Sequence, residues 1–362
     1  MKILNWYVTK SYLTTFVMAI GILSFGMTGA QLMKSIEYFT QGVPLSVAGE
    51  FLLYMIPMVL TFTLPWASLV SIMLTFGRMS ADNEITAMRA CGVSILQIIS
   101  PIIMASFLFS CLCLYLQLEI APKMLGKGRA LLTYVAVNHP VALFTPGIPV
   151  EMDKLSIYID RKDSENNIYD IQLYVLDDKN TIRQDITASR GRIEADEETK
   201  KLHIILEDAI GTSREGKKRN VHIAGKEARF TLDYGKSLAD LRIYQRDKYL
   251  TFREVFARSI INKKMGVSTT RLEIELNSRV ALALAPIAFM MLGMPLAIRT
   301  SRRETSIGLF LSVLLGAIYF GGVMVSDVLR DRAALYPQYL VWLSPVLFQA
   351  FGAYYLFRLA RK

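Results

Sequence analysis

The sequence predicts an α-helical membrane protein with six transmembrane helices and an all-β, jellyroll-like domain inserted between the third and the fourth. Three observations predict it. Six apolar stretches, at residues 11–33, 47–76, 95–120, 276–298, 306–328 and 339–357, are each long enough to cross about 30 Å of hydrocarbon. Between the third and fourth stretches, the spacing of apolar residues changes from helical to alternating. Basic residues also crowd one set of stretch ends and avoid the other. The domain plan that follows is residues 1–121 (three helices), 122–270 (the β domain and a return helix) and 271–362 (three helices).

Composition excludes several classes. With 52% hydrophobic residues the chain is too apolar for an ordinary soluble protein, and with 20% charged residues too polar to be wholly buried. The net charge of +10 is not gathered into one patch with interleaved aromatics, which argues against nucleic acid as a partner. The first apolar stretch exceeds a signal-peptide core and reads as a retained helix.

In chain order, Gly26 and Ala30 lie four apart on the first span, and Gly308, Ser312 and Gly316 do so on the fifth. Such spacing lets helices approach closely, within one chain or against another. Pro57 and Pro65 in the second span, and Pro286 and Pro295 in the fourth, each remove a backbone hydrogen bond and predict kinks. Cys91, Cys111 and Cys113 sit in or beside apolar runs and read as small buried hydrophobes. Orientation follows from ten basic residues (Lys2, Lys10, Arg78, Arg89, Arg299, Arg302, Arg303, Arg358, Arg361, Lys362) at one set of ends, against Lys34, Arg330 and Arg332 at the other. The richer side is the cytoplasm, which places both termini there and the β domain across the membrane.

In the central region, residues 155–159, 171–175, 201–207, 221–223 and 228–233 alternate as strands. Turns are expected at 178–180, Arg190-Gly191, 214–216 and Gly225. Short strands at this spacing suggest a β-sandwich or jellyroll of about 115 residues. Thr251 and Glu254 form a capping box that starts a helix leading back to the membrane.

A polar island, Arg78 to Ser94, separates the second and third spans. Ser80 is placed to cap a helix running to Ala90, with Asp82 and Glu84 in its first turn, apolar Ala81, Ile85 and Met88 on one face, and Gly92 as the stop. At about 1.5 Å per residue that helix is roughly 16 Å long, too short to be stable without a surface to lie on. It reads either as a solvated connection or as a docking helix for a partner's groove.

Chemistry is conspicuous by its absence. There is no phosphate loop, since Gly126-Lys127-Gly128 lacks its spacing, and no serine–histidine–aspartate order or metal-spaced histidines. His139, His203 and His222 all fall in the β domain. No span carries the ionisable chain of a proton-driven carrier; Glu119 and Asp327 sit near helix ends. The chain is not expected to be an enzyme or to bind a cofactor, so any work it performs draws on energy supplied elsewhere.

The order of three spans, a β domain and three spans resembles the LptF/LptG family of lipopolysaccharide export permeases. The island from Ser80 to Ser94 is similar to that family's coupling-helix segment; the runs Thr187 to Ile193 and Leu202 to Gly211, and Gly293-Met-Pro295 followed by Arg302-Arg303, add to the resemblance. The resemblance implies an ABC-type exporter in the inner membrane of a Gram-negative-type bacterium. Two permeases, one F-type and one G-type, would sit on a cytoplasmic LptB-like ATPase dimer, which alone binds ATP. Lipopolysaccharide would enter between the first and fifth helices and rise into the periplasmic jellyroll. From there it would pass to periplasmic LptC/LptA-like β-jellyroll proteins.

It further implies that Asp82, Glu84, Ala87, Arg89 and Gly92 form the ATPase-coupling segment, with Glu84 facing a basic groove. Arg89 lies about 140° around the helix from Glu84, so the two are not each other's partner; Arg89 would meet the ATPase or a lipid phosphate. Lys34 matches a basic position near the lipid's phosphates, where a charge-assisted contact or simple snorkelling are both open. Glu37 is close enough to pair with it, and Arg271 and Arg279 flank the same end of the fourth span. The rival reading is a membrane-anchored scaffold whose β domain binds periplasmic proteins without transport.

Overall fold

A computed structural model describes residues 2–40, 44–138, 146–147, 149–152, 155–163, 167–176, 182–196, 201–215, 218–223, 226–233, 247–300, 305–330 and 335–361. The helices are α1 (Lys2–Thr40), α2 (Leu45–Ala81), α3 (Glu84–Ala90), α4 (Ile95–Tyr115), a π-helical turn (Leu116–Ile120), α5 (Ala121–Asn138), α6 (Phe252–Lys264), α7 (Thr270–Ala283), α8 (Ala285–Thr300), α9 (Thr305–Val328), α10 (Pro337–Leu340) and α11 (Leu343–Arg361). The chain divides into two compact units, one of residues 1–30, 54–126 and 246–362 and one of residues 31–53 and 127–245. The division differs from the sequence plan at two places. The third span does not stop at residue 121, because the π-helical turn carries it into α5. The return helix α6 belongs to the helical unit, not to the β region.

Among the described residues five helical segments are long and apolar enough to cross a membrane: Ile3–Gly29, Leu45–Ala81, Ile95–Val135, Ile307–Val328 and Pro337–Leu359. The count becomes six if α7 and α8, bent by 44° at their junction, form one span. The chain is therefore a multi-pass membrane protein. Its core gathers Tyr12, Leu69, Ile72, Phe76, Ile98, Ile99, Phe289 and Tyr319, all essentially inaccessible.

The bend between α7 and α8 has a local cause. Pro286 has no N–H, so the Leu282 carbonyl loses its helical donor, and the residues ahead of a proline are pushed away from helical geometry. The break falls at Leu284, and the Tyr319 hydroxyl donates to the Ala281 carbonyl at 2.6 Å. Pro295 stays within α8, and Pro57 and Pro65 within an uninterrupted α2, so these three do not break their helices. The small residues of α9 are accounted for inside the chain. Gly308, Ser312 and Gly316 are buried, and a Cβ on Gly316 would lie 2.8 Å from the Trp66 indole. Gly26 on α1 is exposed instead.

The β unit holds one eight-stranded antiparallel sheet: β1 (Val150–Met152), β2 (Leu155–Lys162), β3 (Asn167–Leu176), β4 (Ile182–Asp196), β5 (Lys201–Glu207), β6 (Ile210–Glu215), β7 (Lys218–Ile223) and β8 (Glu227–Asp233). β4 pairs β3 on one side; on the other it pairs β5 through residues 190–196 and β6 through residues 184–187. β5 and β6 thus read as one long strand interrupted at Asp208, whose φ is 51°, and their outer partners are β8 and β7. Among the described strands β1 to β5 follow one another as a meander, whereas the β6–β7 hairpin returns to lie against β4 and β8 returns to pair with β5. Its core is Ile157, Ile159, Ile171, Leu173, Leu202, Ile204 and Leu206, the inward half of each alternation.

Arg190-Gly191 is not a turn. Both residues lie inside β4, where a Cβ on Gly191 would meet the Ile205 carbonyl oxygen at 2.6 Å and the Ile171 side chain at 2.9 Å. Glycine sits there so that two strands and a core side chain close over it. The turns expected at 178–180, Gly216 and Gly225 lie outside the described residues.

Removing the hydroxyl at the span break tests its role. Tyr319→Phe leaves the Ala281 carbonyl buried without its donor, and should lower stability by roughly 1–3 kcal/mol, read as a fall in the thermal midpoint of the detergent-solubilised chain.

Candidate functional site: the polar turn between the second and third spans

α2 runs on past the expected cap. Ser80 is helical, and its hydroxyl donates to the Ile298 carbonyl at the end of α8, 2.7 Å away. The expected single helix from Ser80 to Ala90 is therefore two elements. Asp82 and Asn83 form the corner, with Asn83 in the left-handed region at φ 56°, and α3 starts at Glu84. An asparagine tolerates that conformation better than most residues, which explains why the break falls there.

α3 has seven residues, about 10 Å of helix. Ile85 is buried in the main core, and Met88 and Val93 pack beside it. The helix ends in a Schellman arrangement: the Gly92 N–H donates to Arg89 O at 2.9 Å and the Val93 N–H to Met88 O at 3.1 Å, with Gly92 at φ 85°. Ser94 then opens α4 through a capping box with Gln97. Gly92 thus stops the helix as its position in the sequence predicts.

Two side-chain bonds join this turn to α1. The Tyr7 hydroxyl lies 3.0 Å from both carboxylate oxygens of Glu84 and donates to them. Arg78 donates from Nη2 to Ser11 Oγ at 2.7 Å. The Tyr7 contact was invisible in the sequence, since 77 residues separate the pair. Glu84 is half-buried, whereas Asp82, Ala87, Arg89 and Gly92 are exposed, together with Thr86 and Cys91. Four of the five coupling candidates thus share an open surface, and the fifth stands at its edge with one partner inside the chain.

The cations at the far ends of the spans fare differently. Lys34 and Glu37 lie on α1, but their side chains are outside the described residues. Arg271 is exposed in the first turn of α7. Arg279 is only 5% exposed. Its guanidinium donates to Glu275 Oε1 at 3.0 Å, to the Leu250 carbonyl at 2.7 Å and to the Lys248 carbonyl at 3.3 Å. Expected among the lipid contacts, Arg279 lies deep in the chain, where such a charge is held by internal acceptors. Among the described residues no cluster of histidine, cysteine or carboxylate side chains is disposed to hold a metal.

A multi-pass bundle with a separate antiparallel sheet and an anchored short helix at one inter-span turn defines the class as an α-helical membrane protein with an inserted β region. The family model for the lipopolysaccharide export system permease LptF/LptG matches residues 6–358, and the chain belongs to that family. No curated protein matches the chain.

Forcing a side chain onto the left-handed stop of α3 should loosen it. Gly92→Ala meets open space but a disfavoured backbone, costing about 1–2 kcal/mol locally. Hydrogen–deuterium exchange should rise at the amides of residues 88–93 while the spans stay protected.

Proposed function

We propose that this chain is the transmembrane permease subunit of an ABC-type exporter that extracts lipopolysaccharide from the inner membrane and hands it to a periplasmic bridge. The bent pair α7–α8 then counts as the sixth span, both termini lie in the cytoplasm, and the sheet is the periplasmic, jellyroll-like relay. A separate LptB-like ATPase dimer binds ATP, and the chain pairs with a second permease of the LptF or LptG kind. LptC/LptA-like proteins continue the β-structure.

The observation that carries this reading is the construction of α3. One face is sunk into the core through Ile85, and the other presents Asp82, Ala87, Arg89 and Gly92 to solvent. A helix built so accepts a push from outside and passes it to the spans. A solvated connection has no use for a buried isoleucine beside its corner, nor for a bond from Glu84 to α1. Glu84 and Arg89 are the charged contacts to the ATPase, and Lys34 is a basic contact to lipid phosphate. Family membership supports the cargo.

Glu84→Lys reverses the charge at the edge of the docking surface and should abolish co-purification of the ATPase; an ATPase retained at wild-type stoichiometry would favour the membrane-anchored scaffold. Lys34→Asp should reduce lipopolysaccharide transfer in reconstituted vesicles while leaving ATPase assembly intact, and unchanged transfer would remove Lys34 from the site.

A further inference from the structure

The segment just before the fourth span carries a surface that the export reading does not use. α6 is fixed to the span ends on one side. Val255 is fully buried and packs with Leu250, Leu272 and Leu276. A capping box between Thr251 and Glu254 starts the helix, with the Thr251 N–H donating to Glu254 Oε2 at 2.7 Å. The stretch leading into it is held by the bonds from Arg279 to the Leu250 and Lys248 carbonyls. The Lys248 ammonium also stands 3.9 Å from the Asp327 carboxylate of α9. The height of α6 along the span is thereby set, and only residues 265–269 separate it from α7.

Its other side is open and apolar. Phe252, Phe256 and Ile260 recur at four-residue spacing with 39, 53 and 44% of their surfaces exposed, and the two phenyl rings stack with centroids 6.0 Å apart. Met265 and Val267, 72 and 53% exposed, prolong the stripe beyond the helix end. Basic side chains accompany it: Arg253 and Lys264 flank it, Lys263 stands in its line at the helix end, all three exposed, and Ile261 and Arg258 lie further around. Glu254 is the helix's one acidic residue and is engaged in the cap, so the helix is net positive by three. Thirteen residues are too few to cross a bilayer. An exposed aromatic stripe is costly in water, while long cationic side chains reach up from such a stripe to headgroups.

We propose that α6 lies along the bilayer surface at the end of the spans opposite α3. Its Phe252–Phe256–Ile260 stripe is sunk about 5–10 Å into the headgroup–acyl boundary, and Arg253, Lys263 and Lys264 rest on the phosphates of anionic glycerophospholipids. The charge complementarity, the fixed height on the span and the continuity with a membrane-crossing element single out the membrane itself as the occupant. Arg279 then has a defined part: it is the positioning residue that holds the lead-in to α6 at the level of the interface. The inference rests on the chain crossing a membrane and stands whether or not the chain exports lipopolysaccharide.

The test uses the full chain, purified with its native subunits, with Cys91, Cys111 and Cys113 replaced by serine. Single cysteines at Phe256→Cys, Ile260→Cys or, as a water-facing control, Arg258→Cys carry an environment-sensitive fluorophore. The chains are reconstituted in phosphatidylcholine vesicles with or without phosphatidylglycerol, each with a nitroxide-labelled phospholipid whose spin label sits near the headgroup. The labels at 256 and 260 should be quenched by the nitroxide and shielded from iodide severalfold relative to the label at 258, more strongly with phosphatidylglycerol. Adding Arg253→Glu and Lys264→Glu should reduce the phosphatidylglycerol effect without altering the control. Equal iodide access at 256 and 258, with no nitroxide quenching, overturns the proposal. So does shielding that appears only when lipopolysaccharide is added, which would make α6 a cargo surface.

Discussion

The burial of Ile85 beneath a seven-residue helix is the constraint on which the functional reading turns. A helix of two turns has almost no stability of its own, so its existence depends on what it is packed against. Sinking one isoleucine fully is worth about 1.5–3 kcal/mol, enough to order such a piece when both ends are also fixed. Asn83 in the left-handed region and the Schellman end at Gly92 do that fixing. The consequence is mechanical. α3 continues into α2 and α4 through the chain and reaches α1 through Tyr7, and the end of α2 beside it is bonded to α8 through Ser80. A displacement imposed on its open face is delivered to four helices at once, with little flexible chain in between to absorb it.

The rest of the helical unit obeys the rule that backbone and charge must be satisfied where water is scarce. The α7–α8 pair, bent by 44°, carries a carbonyl at its break, and a tyrosine from α9 serves it. Arg279 carries its charge into a nearly dry position and is answered by Glu275 and two carbonyls. Both devices join elements distant in sequence, so the bend is a built joint held from its neighbours. The small residues of α9 serve the same compaction, with Gly316 seating the Trp66 indole. A reading in which that stripe slides against a second subunit does not fit residues already covered within the chain.

What the sequence exposed, and what it hid, follows from the range of the forces involved. The spans were legible because hydrophobicity over about twenty residues is a summed, local property, and the strands at 155–159 and 201–207 because alternation is local too. Gly92 was readable as a stop, since only glycine takes that conformation cheaply. The break at Asn83 was not: Ser80 is a good cap by type, but a carbonyl 218 residues away claims its hydroxyl and lets α2 continue. β4 escaped for a related reason. Its Arg190-Gly191 looks like a turn until the packing of Ile171 and the closeness of Ile205 supply a need for glycine inside a strand. Arg279 looked like a cation at a membrane end, and only tertiary partners show where its charge is spent. The five residues expected to couple lie at one turn, yet Tyr7, which bonds Glu84 there, lies 77 residues away and carries no signal of its own.

The central claim is that α3 is the point at which a separate engine grips this chain. Cys91 stands exposed at the end of that helix and needs no engineering. A short thiol-to-amine cross-linker applied to native membranes, followed by mass spectrometry of the adducts, reads its neighbour directly. The account predicts that Cys91 is joined to a nucleotide-hydrolysing subunit, and that the yield changes when a non-hydrolysable nucleotide is added. Efficient modification of Cys91 with no protein attached to it, in membranes where the chain is intact, would contradict it.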